Sequence, residues 1–207
     1  FYPIVNGERL IPTREEGWQP CFSAEGSVEE AIRNIIAYFD ANPQAISYSL
    51  GINDNRNFCQ CEECLAKISG EKNFLGLVDY SDAFFEWANQ IVEGVLEVHP
   101  DKYFGCLAYN NVVEPPTRVD VHPHIIPYMT YDRMKWVKPE IEEQGHALTL
   151  EWAEKSPTLG WYDYIYGTPY VLPRYYPHKM AEYLSWGYDA GVRALYAEAY
   201  PNFGEGP

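Results

Sequence analysis

The chain has 207 residues, 46% of them apolar, with 15 Lys plus Arg against 30 Asp plus Glu and a formal charge of −15. That apolar share excludes a disordered chain. The acidic balance excludes nucleic acid and anionic membrane surfaces as partners, because no basic stripe is available to neutralise phosphates.

In chain order, Trp18–Phe22 is predicted as a short first strand. Ser27-Val28-Glu29-Glu30 has the form of a capping box. Val28, Ile32, Ile35, Ile36 and Phe39 then recur at helical spacing until Asn42-Pro43 stops the helix. Ala45–Leu50 is the second strand, followed by the polar loop Gly51–Asn57. A helix over Tyr80–Val98 carries Phe84, Trp87, Ala88, Ile91, Val92 and Val95 on its apolar side and ends at His99-Pro100. Tyr103–Tyr109 is the third strand, before the proline-rich loop Asn110–Pro116. Then come strand Ile125–Thr130, helix Glu140–Lys155, strand Leu159–Tyr166, helix Pro177–Trp186 and strand Val192–Glu198.

Strands alternating with helices imply parallel pairing through helical crossovers. The expected fold class is therefore α/β, a partial (β/α)8 TIM-type barrel with about six parallel strands, forming a single domain over residues 1–207. A complete barrel needs about 250 residues. The chain opens at Phe1 without Met and stops just after its last strand, so it is expected to be a fragment truncated at both ends. The absence of a leader peptide then says nothing of export. No run of 18 apolar residues occurs, so membrane insertion is not expected.

Aromatic residues make up 16% of the chain, with 18 Tyr and 6 Trp. Such rings, flat and apolar with a polar tip, suit both a Tyr-rich core and a sugar-binding cleft. Polar groups gather after the predicted strands: Asn53, Asp54 and Asn55; Asn110, Asn111 and Glu114; Tyr131 and Asp132; Asp163 and Tyr166; and Glu198. Parallel strands deliver such residues to the one barrel face where active sites are built. Cleavage of a glycosidic bond needs an acid and a second group that supports the oxocarbenium-like centre. Asp54, Glu198 and Asp163 are the candidate catalytic carboxylates, and Asp54 and Glu198 are expected to face one aromatic-lined pocket. Against each stands a plainer role: Asn-Asp-Asn as an ordinary turn, Glu198 as an edge acid, Asp163 as a structural partner of a Tyr or Arg. Asn53, Asn55, Asn110, Tyr131, Trp161, Tyr164 and Tyr166 are the candidate substrate-binding residues.

No glycine-rich phosphate loop is present, so no cofactor is expected. Cys59-x-Cys61-x-x-Cys64 leaves three readings open. With Cys21, Cys106 or a His it completes a tetrahedral zinc site; a Cys59–Cys64 disulfide closes a short loop; or the thiols are reduced packing groups. No obligate metal is implied. The three cysteines are expected to anchor the Asp54 loop without taking part in the chemistry.

The blocks Ser49-Leu50-Gly51-Ile52-Asn53-Asp54-Asn55 with Cys59-Gln60-Cys61-Glu62-Glu63-Cys64, Trp161-Tyr162-Asp163-Tyr164-Ile165-Tyr166-Gly167-Thr168-Pro169, and Leu195-Tyr196-Ala197-Glu198-Ala199-Tyr200-Pro201 resemble the domain-of-unknown-function family 4838. The likeness extends over nearly the whole chain. It implies a large bacterial protein, often exported, to the periplasm or beyond. Part of that family resembles glycoside hydrolase family 163, endo-β-N-acetylglucosaminidases of complex N-glycans, which implies retaining, substrate-assisted catalysis. With the last strand counted as the eighth, Asp54 follows the fourth, where related barrel hexosaminidases carry their acid pair. The expected function is hydrolysis of a glycosidic bond in an oligosaccharide or polysaccharide. The alternatives are a non-catalytic carbohydrate-binding barrel and a zinc-stabilised structural module.

Overall fold

A computed structural model describes residues 1–13, 17–166, 174 and 176–199, with Tyr166 described by its backbone alone. It contains a hairpin, β1 (Ile4–Val5) and β2 (Glu8–Arg9), and a five-stranded sheet. The sheet comprises β3 (Ser47–Ser49), β4 (Tyr103–Ala108), β5 (Ile125–Thr130), β6 (Leu159–Tyr166) and β7 (Val192–Ala199), in the order β3-β4-β5-β6-β7. The strands run parallel. Helices α1 (Ser27–Ala41), α2 (Glu62–Ala66), α3 (Ser81–Leu96), α4 (Pro139–Lys155) and α5 (Pro177–Asp189) lie between them in sequence. Sequential parallel strands with intervening helices are the connectivity of a partial (β/α) barrel. The chain divides into two compact units, Phe1–Ile126 and Pro127–Pro207. No helix is long and apolar enough to cross a membrane among the described residues.

In the first unit, α1 packs on α3. The apolar side expected of α3 is buried residue for residue, and Ile35 and Phe39 are the buried centre of the α1 stripe. Two expectations fail here. Trp18–Phe22 is not a strand. Pro20 lacks the N–H a ladder requires, and the neighbouring Trp18 carbonyl and Gln19 side chain bind the Asp54 loop instead. Nor does Ser27 cap α1. Gly26 holds the N-cap position with φ 77°, and Ser27 Oγ lies 3.3 Å from Trp87 Nε1, whose N–H it accepts. Asn6 and Gly7, at φ 53° and 82°, turn the β1–β2 hairpin, a position that favours Asn-Gly in a two-residue loop.

In the second unit the core is aromatic. Trp136, Trp152, Trp161 and Tyr183 are fully enclosed. Two helical glycines make the room. A Cβ at Gly145 of α4 would lie 2.5 Å from the Trp136 ring, and one at Gly187 of α5 would lie 2.3 Å from the Trp161 ring. Gly187→Ala is therefore expected to destabilise the protein by about 1–3 kcal/mol through overpacking, against the ~1 kcal/mol that alanine ordinarily gains inside a helix. Urea unfolding of parent and variant measures the sign, and a stabilised variant would refute the close contact.

Candidate active site

Alternation along β6 separates two sets of side chains. Trp161 and Asp163 point to the enclosed side, at 0% exposure, while Tyr162 and Tyr164 are only half-buried. Asp163 Oδ1 accepts the backbone N–H groups of Arg133 (3.1 Å) and Tyr164 (2.8 Å). Its Oδ2 accepts the Tyr183 hydroxyl at 2.9 Å and lies 4.0 Å from Arg133 Nη1. Arg133 is itself fully enclosed, 3.9 Å over the Trp161 ring, and donates to the carbonyls of Met129, Tyr131 and Tyr162. Burial pulls its pKa down to about 10, so it stays charged at neutral pH opposite Asp163. These contacts are the ones the structural alternative for Asp163 calls for. Trp161, expected among the substrate-binding residues, is fully enclosed with its ring under the Arg133 guanidinium. Tyr131 is buried, its ring 6.0 Å from Trp136 and its hydroxyl donating to Gln144 Oε1. The side chain of Tyr166 lies outside the described residues, as do residues 200–207.

The other side of β6 carries the accessible chemistry of this unit. The register aligns Tyr128 with Gly160, Thr130 with Tyr162, Tyr162 with Tyr196, and Tyr164 with Glu198. Gly160 has no side chain because the Tyr128 ring occupies that space; a Cβ would sit 2.6 Å from it. One row further, Tyr162 stacks on Tyr196 at 5.1 Å and 23°. The Tyr162 hydroxyl donates to Glu198 Oε1 at 2.5 Å. Glu198 is half-buried near the C-terminal end of β7, and Tyr196 is exposed. A half-shielded carboxylate beside two tyrosine rings can orient a hydroxylated ligand and exchange a proton with it. Tyr162 and Tyr196 were not singled out from sequence. Their signal was the two-residue period shared with Tyr164 and Glu198. Tyr164 is held at its carbonyl by Arg174, which also pairs with Asp132. A cavity of about 500 Å³ nearby is lined by Met134, Lys135, Val137, Lys138, Ile141 and Arg174 and contains none of the candidate carboxylates.

In the first unit Asp54 is exposed on the loop after β3. Burial pushes the Tyr109 hydroxyl up, and the charge of Asp54 together with a hydrogen bond to it adds to the effect; the Asn110 side chain and Arg56 act the other way. Asp54, Tyr109 and Asn110 therefore form one cluster at the ends of β3 and β4. Asn110 is buried at φ 51°, a left-handed conformation that asparagine adopts more readily than most residues. Its carbonyl is fixed by Asn73 Nδ2 at 2.8 Å. Asn53 and Asn55 serve the loop itself, since both side-chain amides donate to the Trp18 carbonyl (2.6 and 3.1 Å). Gln19 closes the clamp, accepting from Asn53 N and donating to the carbonyls of Asn53 and Asn55. Glu114 accepts the N–H of Phe74 at 2.7 Å.

Beyond this loop, Cys21, Cys59, Cys61 and Cys64 bring their sulfurs within 4.8 Å of one another, and they are the donor set in the described residues that could hold a metal. All five cysteines are free thiols, so no Cys59–Cys64 disulfide forms. Cys21 Sγ stands 3.7 Å from Cys64 Sγ and 3.8 Å from Cys61 Sγ. The hydrogen bond from Cys21 draws the Cys64 thiol down to about 5, while the same contact raises Cys21. Cys106 is not part of the cluster; burial pushes its thiol up to about 12.

Residues 1–205 match the family described as Domain of unknown function (DUF4838). No curated protein and no solved structure gives a significant match.

Proposed function

This chain belongs to the DUF4838 family, and we propose that it forms part of a glycoside hydrolase that cleaves a glycosidic bond in a glycan. The observation that carries this reading is Glu198, half-buried near the C-terminal end of a parallel strand, 2.5 Å from the Tyr162 hydroxyl and beside the stacked Tyr162–Tyr196 pair. Barrel enzymes draw catalytic groups from strand ends of this kind. Tyrosine faces suit the C–H surface of a sugar, and the carboxyl supplies the proton transfer that glycoside cleavage needs. In the first unit, Asp54 with Tyr109 and Asn110 is a separate candidate carboxylate.

The resemblance to glycoside hydrolase family 163 supports a narrower form of the proposal: endo-β-N-acetylglucosaminidase activity in which the substrate's acetamido oxygen attacks the anomeric carbon. In such a mechanism a carboxylate positions the acetamido N–H and an acid protonates the leaving oxygen. The full-length protein, incubated with a glycan library and its products weighed by mass spectrometry, should release fragments cut at one type of linkage. Binding of glycans without any cleavage would favour a non-catalytic carbohydrate-binding barrel, and neither binding nor cleavage would remove both readings.

A further inference from the structure

We infer that Cys21, Cys59, Cys61 and Cys64 bind a single zinc ion that staples the N-terminal segment to the loop carrying Asp54. The geometry is that of one tetrahedral ion. Four thiolates at the usual zinc–sulfur distance of ~2.3 Å stand ~3.8 Å apart, and the sulfur separations here are 3.7 and 3.8 Å, with all four inside 4.8 Å. A disulfide needs sulfurs at ~2.05 Å. An iron–sulfur cluster needs them spread around several irons. The ligands come from two stretches far apart in sequence. Cys59 and Cys61 lie on the turn into α2, Cys64 lies within that helix, and Cys21 lies on the non-strand segment that follows Trp18 and Gln19.

Backbone donors already point at the sulfurs, as they do where thiolates are held for a metal. Ile4 N–H donates to Cys59 Sγ at 3.3 Å, and Cys64 N–H donates to Cys61 Sγ at 3.4 Å. Three of the four cysteines are buried and Cys61 is half-exposed, so the centre is closed to substrate and is structural.

The consequence lies in what the staple holds. Cys21 follows Trp18 and Gln19, whose groups clamp Asn53 and Asn55 on either side of Asp54. On the far side, Cys59 begins two residues after Asn57, whose side chain donates to the Gly17 carbonyl. One ion would thus fasten both edges of the Asp54 loop. The edge β1 is included, since Gln60 N–H donates to the Ile4 carbonyl at 2.7 Å.

The test is elemental analysis of the full-length protein purified under reducing conditions without added metal. One zinc per chain is expected, with four sulfur neighbours at ~2.3 Å by X-ray absorption. Zinc withdrawal with a strong chelator should speed amide hydrogen exchange at least tenfold over residues 17–21 and 53–64, and zinc alone should restore protection. Cys21→Ser and Cys61→Ser should each lower retained zinc at least tenfold after dialysis against a chelator, while Cys106→Ala keeps one equivalent. Less than a tenth of an equivalent of zinc in the reduced parent protein, even after incubation with the ion, would overturn the assignment, with no variant required to fold. So would a disulfide within the four, iron at the site, or equal zinc loss from Cys106→Ala.

Discussion

Glu198→Gln in the full-length protein is expected to lower the turnover of a cleaved glycan by ~10²–10⁴-fold, the usual worth of general acid–base assistance. Glutamine keeps the shape of the side chain, and its carbonyl can still accept the Tyr162 hydroxyl that now donates to Glu198. Folding should therefore be retained while the proton chemistry is lost. Tyr162→Phe should have a smaller effect, about ten- to a hundredfold, as expected for one hydrogen bond to a charged group. Asp54→Asn tests the other carboxylate in the same assay. Near-parent turnover in folded Glu198→Gln and Asp54→Asn would make both groups structural and leave the hydrolase reading without its acid.

Asp163→Ala is expected to cost about 3–5 kcal/mol of stability, the usual cost of removing one partner of a buried ion pair. That is a large share of the ~5–15 kcal/mol that holds an ordinary domain together. The variant leaves the enclosed Arg133 guanidinium without its counter-charge, and it removes the carboxylate that accepts from the Tyr183 hydroxyl and from the N–H groups of Arg133 and Tyr164. Arg133→Lys should also destabilise, because an ammonium cannot lie flat 3.9 Å over Trp161 while reaching three carbonyls. Urea unfolding gives the size of each loss. Turnover per folded molecule, measured at a temperature where the variant stays native, separates positioning from chemistry. A folded, equally stable Asp163→Ala that loses turnover would return Asp163 to the catalytic group.

Sequence periodicity by itself determined the order of the main elements. β5 and β6 begin and end where their apolar runs do, and the buried side of α3 is the one its 3.6-residue spacing predicts. Local pattern suffices there because one face of each element is apolar and water decides which face turns inward. The Asn-Gly of the β1–β2 hairpin was equally legible in principle, since the turn is a property of those two residues.

What only the tertiary structure decided was which polar groups meet. Asp163 and Glu198 are both acids in aromatic strands, yet one is locked under Arg133 and Tyr183 while the other is half-open beside Tyr162. Ser27 reads as a helix cap and instead receives the Trp87 indole from sixty residues away. Cys21 belongs with Cys59, Cys61 and Cys64 only because its segment folds back along the Asp54 loop. Spacing along the chain reports contacts made within one helix or strand. Hydrogen bonds and sulfur–sulfur approaches between distant segments depend on directions that are set only when those segments pack, and the chemistry of this protein resides in such contacts.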